Sequence, residues 1–167
     1  QNLVEGLLIL ARGEGNLILD KQQIDLTLLL ADVTDSLRPL AEAKRLTLTF
    51  ERTPSIMLSA DPDALIRLFV NLLDNAVKYT ECGGITVSAH EENCRAVIEI
   101  ADTGVGIPVE HLPHIFERFY RADSSRSSRG AGLGLAIAAQ IVQGHGGRLE
   151  VQSEAGAGTK FTVRLQK

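Results

Sequence analysis

Asn71-Leu72-Leu73-Asp74-Asn75-Ala76-Val77-Lys78-Tyr79-Thr80 is the stretch on which the architecture of this chain turns. Leu65, Leu68, Phe69, Leu72 and Ala76 recur at helical spacing, and at ~100° per residue they fill one side of a helix. Asn71, Asn75 and Lys78 fall within a separate stripe of roughly 60°. One helix thus turns an apolar face to a core and offers two carboxamides and an ammonium to something else. Such residues on an outer helix face are ordinarily solvated surface. Asn is a poor helix former, however, and two of them one turn apart cost helix stability without capping either end. A carboxamide oxygen is a hard, neutral ligand suited to Mg²⁺, and a lysine beyond it suits phosphate. The stripe reads as a seat for a metal-bound polyphosphate.

The helix opens at Asp61-Pro62, an N-cap followed by proline at the first helical position. Upstream, residues 2–12 carry Leu3, Leu7, Leu10 and Ala11 at helical spacing, and Gly13 and Gly15 end the run. Residues 23–26 suit a short strand, and 27–44 suit a helix with Pro39 as a kink. Residues 46–50 and 56–60 alternate as strands. Downstream, 85–89 and 96–100 form a hairpin, followed by the glycine loop Asp102-Thr-Gly104-Val-Gly106-Ile107-Pro108. Residues 109–116 read as a short helix and 117–130 as a mobile loop rich in Ser and Arg. Gly130-Ala-Gly132-Leu133-Gly134 opens a helix running through residue 143, and 148–153 with 159–165 form a closing hairpin. The fold class is an α/β (α+β) sandwich, with a mixed, largely antiparallel sheet and helices packed on one face.

The 167 residues, 44% of them hydrophobic, suffice for one ordinary domain with a substantial core. A net charge of −4 and a pI near 5.6 argue against a general nucleic-acid or anionic-membrane surface, because both need a broad positive field. Cys82 and Cys94 fit no zinc spacing, so a thiol-reducing cytosolic setting is expected and a disulfide between them is not. No apolar run approaches the ~20 residues that span a bilayer, and no secretory leader is visible, so a soluble piece is expected. The chain opens without Met and in mid-pattern, as a fragment of a longer protein would.

Two glycine-rich loops strengthen the phosphate reading, since bare backbone N–H groups at a helix start attract anions. The Gly130 cluster fails the dinucleotide fingerprint, because Leu135 stands where a third Gly or Ala belongs and no strand immediately precedes it. No Gly-Lys-Ser/Thr occurs, which excludes a Walker A loop. Asp102, at the end of an apolar strand, is costly there unless it accepts hydrogen bonds. It reads either as an Asx-turn to Gly104 or as an acceptor for an exocyclic amine such as that of adenine. Arg118, Arg121, Arg126 and Arg129 form a positive island just before the second glycine cluster.

Taken in order, residues 71–80, 102–108, Phe116-Glu-Arg-Phe-Tyr-Arg121, 130–136 and Gly156-Ala-Gly-Thr159-Lys-Phe161 resemble a known set. They are similar to the N, G1, F, G2 and G3 boxes of the catalytic ATP-binding domain of two-component sensor histidine kinases, bacterial signalling transferases. Any one box is weak, but all five in family order, from about residue 61 to the end, are specific. Residues 1–14 resemble the end of the second helix of that family's dimerisation and phosphoacceptor hairpin, which leaves 15–167 as the catalytic domain with a flexible ATP lid.

The resemblance implies roles position by position. Asn75 ligates Mg²⁺ on the ATP phosphates, with Asn71 nearby, Lys78 on a phosphate oxygen and Tyr79 against the nucleotide. Asp102 accepts from the adenine amine, Gly104 and Gly106 let the loop close on the base, Ile107 belongs to the same binding wall, and Thr159 supports Asp102 or its water. Gly130, Gly132, Leu133 and Gly134 present backbone N–H groups to the phosphates, and Arg121 reaches them from the lid. The lid is expected to be the least ordered part without nucleotide.

The implied partners are the protein's own histidine-bearing dimerisation domain, a cognate response regulator and a second copy in the full-length protein. No nucleic acid and no direct membrane contact are expected. The implied setting is a cytoplasmic domain whose parent is anchored in the bacterial inner membrane. The acceptor is not in this chain, because none of His90, His111, His114 or His145 lies in a His-Glu/Asp-x-Arg-Thr-Pro-like helix. His111 and His114 lack an evident third metal ligand, and His90 and His145 read as surface. Related hydrolases of the superfamily use Glu where this chain has Asn71, and a neutral amide cannot take a proton from water. A degenerate ATP-responsive module would show decay at Asn75, Asp102 or the second glycine cluster, and none is decayed. A serine kinase of the anti-sigma type would lack the leucine-rich tail.

Overall fold

The computed structural model describes residues 18–51, 53–121 and 132–167. The helical tail expected over 1–14, Gly130 and most of the segment expected to form the lid lie outside the described residues.

A five-stranded sheet carries the fold, in the order β2 (Thr47–Phe50), β4 (Gly84–Glu92), β5 (Arg95–Asp102), β7 (Gly158–Gln166), β6 (Arg148–Glu154). Only β2 pairs in parallel, and the rest of the sheet is antiparallel. A separate two-stranded sheet joins β1 (Gln22–Asp25) to β3 (Met57–Ala60). The register stacks Val87, Ile100, Phe161 and Val151 in one row across four strands, so one pleat face is continuously apolar. The row one residue along, Ser88, Glu99, Thr162 and Glu150, turns to the opposite face, where Lys160 pairs with Glu99 at 3.0 Å.

Three helices cover the apolar face: α1 (Leu26–Ala43), α2 (Pro62–Tyr79) and α3 (Gly134–Gly144). α2 is the central one, packed between α1 and α3, and Leu65, Leu68, Phe69, Leu72 and Leu73 along it are fully buried. Each such side chain stabilises the fold by about 1.5–3 kcal/mol relative to exposure. The start of α2 is fixed by the Asp61 carboxylate, which accepts from the Ala64 N–H at 3.0 Å, with Pro62 at the first turn. Its end is fixed from outside. Lys44 Nζ donates to the carbonyls of Val77, Lys78 and Thr80 at 2.7, 2.9 and 3.0 Å, a cation on the negative end of the helix.

Several expected boundaries shift for physical reasons. α1 begins at Leu26 because Asp25 is its N-cap, accepting from Thr27 and Leu28, so β1 ends one residue earlier than expected. α1 continues through Pro39 without a break. The short helix expected over 109–116 is instead a succession of turns, in which His111, His114 and Glu117 donate to the carbonyls three residues back. Pro113 has no N–H to give, and an α-helical ladder cannot run through it at so short a length. His145, expected at the surface, is buried. Its Nδ1 lies 2.8 Å from the Ile141 carbonyl, and its Nε2 accepts from the Asp61 N–H at 3.1 Å. Those partners fix the neutral Nδ1–H tautomer and tie the end of α3 to the start of α2. Burial lowers the proton affinity of His145, only partly opposed by its bond to Ile141. Cys82 and Cys94 are exposed and free, as expected.

Candidate functional site

The outer end of α2, the end of β5, the loop after it and the start of α3 enclose a cleft of ≈ 570 Å³. Among the residues singled out in the sequence, Asn71, Asn75, Lys78, Tyr79, Asp102, Gly106, Ile107, Arg121, Gly132, Leu133, Gly134 and Thr159 all line it. Gly104 lies behind the lining, and Gly130 is outside the described residues. Ile115, Ile137 and Phe161 supply an apolar floor suited to a flat ring.

At one end stands Asp102, placed by the sheet register directly opposite Thr159. Its Oδ1 accepts from the Gly104 N–H at 2.8 Å and the Thr159 N–H at 3.3 Å. Burial pushes its carboxyl above the usual carboxylate range, and those two bonds hold it partly back. The loop reaches this position only because of glycine. A Cβ on Gly104 would stand 2.5 Å from the Tyr79 carbonyl and 2.8 Å from Asp102 Oδ1, while Gly106, at φ +69°, lies against the Glu154 carbonyl where no side chain fits. Gly156 N–H closes the contact from the other hairpin, donating to the Val105 carbonyl at 2.7 Å.

At the other end, eight residues or about 12 Å of helical rise before Tyr79 on α2, stands Asn71. Its Nδ2 is buried and has no hydrogen-bond partner among the described residues, and its amide lies against Gly134, whose Cβ position is 3.5 Å from Asn71 Oδ1. Gly134 begins α3. The residue before it, Leu133, has no side chain able to cap, whereas α1 and α2 are both capped by aspartates. This end thus gathers helix-start N–H groups without a side-chain cap and an amide unpartnered among the described residues, while the ammonium of Lys78, two turns on along α2, lies 4.9 Å from the Tyr79 ring centroid. Such a set is chemically matched to an anion rich in oxygen acceptors. Asp74 is the carboxylate at this end, and it is exposed.

Among the described residues no group of three or more His, Cys, Asp or Glu is placed to hold a metal. The donors that fit a hard divalent cation here are the carboxamides of Asn75 and Asn71, neutral oxygens that would complete a coordination shell supplied mainly by phosphate and water. His111 Nδ1 lies 2.7 Å from the Tyr120 hydroxyl, and His114 Nδ1 lies 2.7 Å from Glu117.

Sequence reasoning passed over four contributors. His111 and Tyr120 line the cleft, Lys44 holds the end of α2, and Ser153 anchors the Ile107 N–H from behind at 2.8 Å. The partners of Lys44 and Ser153 are distant in sequence, so no spacing rule points to them. Tyr120 sits inside the quoted 116–121 stretch, which is the one signal that was available.

A family profile described as histidine kinase-, DNA gyrase B- and HSP90-like ATPase matches residues 60–167. Sensor histidine kinase YkoH of Bacillus subtilis (strain 168) is 40% identical over 169 residues, covering 100% of this chain and 37% of its own length. The chain spans about a third of the length of the curated relatives it matches. Full-length ShkA in complex with AMPPNP superposes with a TM-score of 0.87 at 32% identity, over 98% of this chain and 35% of that one. The mycobacterial sensor histidine kinase MprB gives a TM-score of 0.73 at 31% identity, over 87% of this chain and 96% of that one. The chain therefore belongs to the histidine kinase-, DNA gyrase B- and HSP90-like ATPase family, and the relatives it matches are sensor histidine kinases.

Proposed function

We propose that this chain holds Mg·ATP in the cleft and donates its γ-phosphoryl group to a histidine on a separate dimerisation domain of the same sensor kinase. The placement of Asn71 carries the proposal. The amide of Asn71, whose buried Nδ2 has no partner among the described residues, lies against Gly134 at a helix start without a side-chain cap, where a polyphosphate finds donors and, among the described residues, no buried carboxylate stands to activate water.

In this mechanism Asp102 receives the adenine amine, the floor of Ile115, Ile137 and Phe161 excludes water from the ring, and Asn75 and Asn71 orient the phosphate end. Backbone N–H groups at Gly134 and the cations Lys78 and Arg121 act on the triphosphate oxygens as charge shifts to the leaving diphosphate. Mg²⁺, held by Asn75, would neutralise phosphate charge. The acceptor imidazole comes from outside: both nitrogens of His145 are engaged, and none of His90, His111 or His114 lies in an acceptor-like helix. The response regulator, the homodimer and the membrane-anchored parent belong to the same proposal, supported by the sensor kinase relatives. No helix among the described residues is long and apolar enough to cross a membrane.

The test mixes this chain with the histidine-bearing hairpin of its full-length protein and γ-labelled ATP. Acid-labile, base-stable label on the hairpin, lost in Asn75→Ala, is the expected result. Intact ATP binding without transfer would favour an ATP-responsive module, and brisk hydrolysis unaffected by Asn75→Ala would sink the proposal.

A further inference from the structure

We propose that Ser153, which stands outside the cleft lining, sets the hydrogen-bonding polarity of Thr159 and so makes the site select a 6-amino purine over a 6-oxo purine. The inference rests on the nucleotide reading of the cleft. Ser153 Oγ has three partners, each at 2.8 Å: the Ile107 N–H, the Gly158 carbonyl and Thr159 Oγ1. An N–H only donates, a carbonyl only accepts, and a hydroxyl has one proton. The Ser153 proton therefore goes to the Gly158 carbonyl, and its lone pairs accept from Ile107 and from the Thr159 hydroxyl.

Having given its proton away from the cleft, Thr159 turns only lone pairs toward it. Thr159 is 8% exposed and lines the cleft beside Asp102. Both hydrogen bonds to the Asp102 side chain fall on Oδ1, which leaves Oδ2 without a partner among the described residues. Two acceptors thus face the same end of the cleft. An exocyclic amine, with two N–H groups, satisfies both directly or through a water. A 6-oxo group sets acceptor against acceptor and leaves buried oxygens unpaired. Were Ser153 not fixed by Gly158 and Ile107, the Thr159 hydroxyl would rotate and donate to whichever base entered.

Isothermal titration of the intact chain with ADP and with IDP, in the presence of Mg²⁺, tests this. Wild type should prefer ADP, and Ser153→Ala should weaken ADP several-fold while narrowing the ADP/IDP ratio about tenfold, because the freed hydroxyl can now donate to the 6-oxo group. In a Thr159→Val background, which has no hydroxyl to orient, Ser153→Ala should leave the ratio unchanged. If Ser153→Ala does not fold, Ser153→Cys, close in volume but a weak acceptor, carries the same expectation. Equal weakening of ADP and IDP would show Ser153 to be only a prop for the Ile107 loop and would overturn the proposal. So would an undiminished narrowing in the Thr159→Val background. Failure to bind either nucleotide would overturn the nucleotide reading itself, and this inference with it.

Discussion

The two ends of the cleft are built on opposite principles. Around Asp102 the backbone N–H groups of Gly104, Ile107 and Thr159 and the Ser153 hydroxyl are partnered within the protein. Around Asn71 they are not: among the described residues Nδ2 is buried without a partner, and the first turn of α3 has no side-chain cap. The first end is a preorganised recognition surface, its donors engaged within the protein before a ligand arrives and its free acceptors held in place. The second is held in a state that costs folding free energy until an anion completes it. Binding should therefore read the base with preorganised groups and gain much of its strength from satisfying the phosphate end.

Three perturbations test that contrast. The largest effect is expected from Asp102→Asn, which puts an amide donor among donors. Affinity for adenine nucleotides should fall by about 30–100-fold, or ~2–3 kcal/mol, in calorimetric titration. The fold itself should hold, since a desolvated charge has been removed. At the other end the sign reverses for stability. Asn71→Leu replaces an unsatisfied amide with an apolar group of similar shape, so the melting temperature of the free chain should rise by about 2–4 °C, equivalent to ~1 kcal/mol. The further rise that Mg·ATP gives wild type should be lost. A fall in the free chain's melting temperature would mean that the amide is satisfied and that the two ends do not differ as described.

The smallest effect concerns the joint that sets the spacing between α2 and α3. Because burial holds the proton affinity of His145 below its ordinary value of 6.5, the unfolded chain binds more protons than the folded one between the two values. Stability therefore rises with pH through that window and is lost on acidification from about pH 6.5 downward. The loss through this group is bounded by about 1.4 kcal/mol per pH unit. Thermal melts between about pH 7.5 and 5.5 should fall more steeply for wild type than for His145→Gln. Equal slopes would remove His145 from the joint.

Much of this was legible in the chain before folding was considered. Asp61-Pro62 announced the start of α2, the apolar period announced its buried face, and the Asn71, Asn75 and Lys78 stripe announced a polar face that lines the cleft, because all three depend on neighbours within a turn or two. The glycine loops were legible as close backbone approaches, though not what they approach. The short helix expected over 109–116 failed because Pro113 outweighs an apolar period in so short a segment. His145 was misplaced because a glycine turn ordinarily lies at the surface; Gly144 and Gly146 do, but the imidazole between them turns inward to a backbone N–H 84 residues away.

Local chemistry thus determined the helices, the aspartate caps of α1 and α2, the polar stripe and the positions at which only glycine fits, since each follows from torsion preferences and spacing along the chain. Tertiary structure alone decided that Asp102 faces Thr159, that Lys44 closes α2, and that Ser153, 46 residues beyond Ile107, dictates which way a hydroxyl points. Those outcomes rest on strand register and on hydrogen-bond direction. Both are properties of groups brought together through space, which no stretch of the sequence contains by itself.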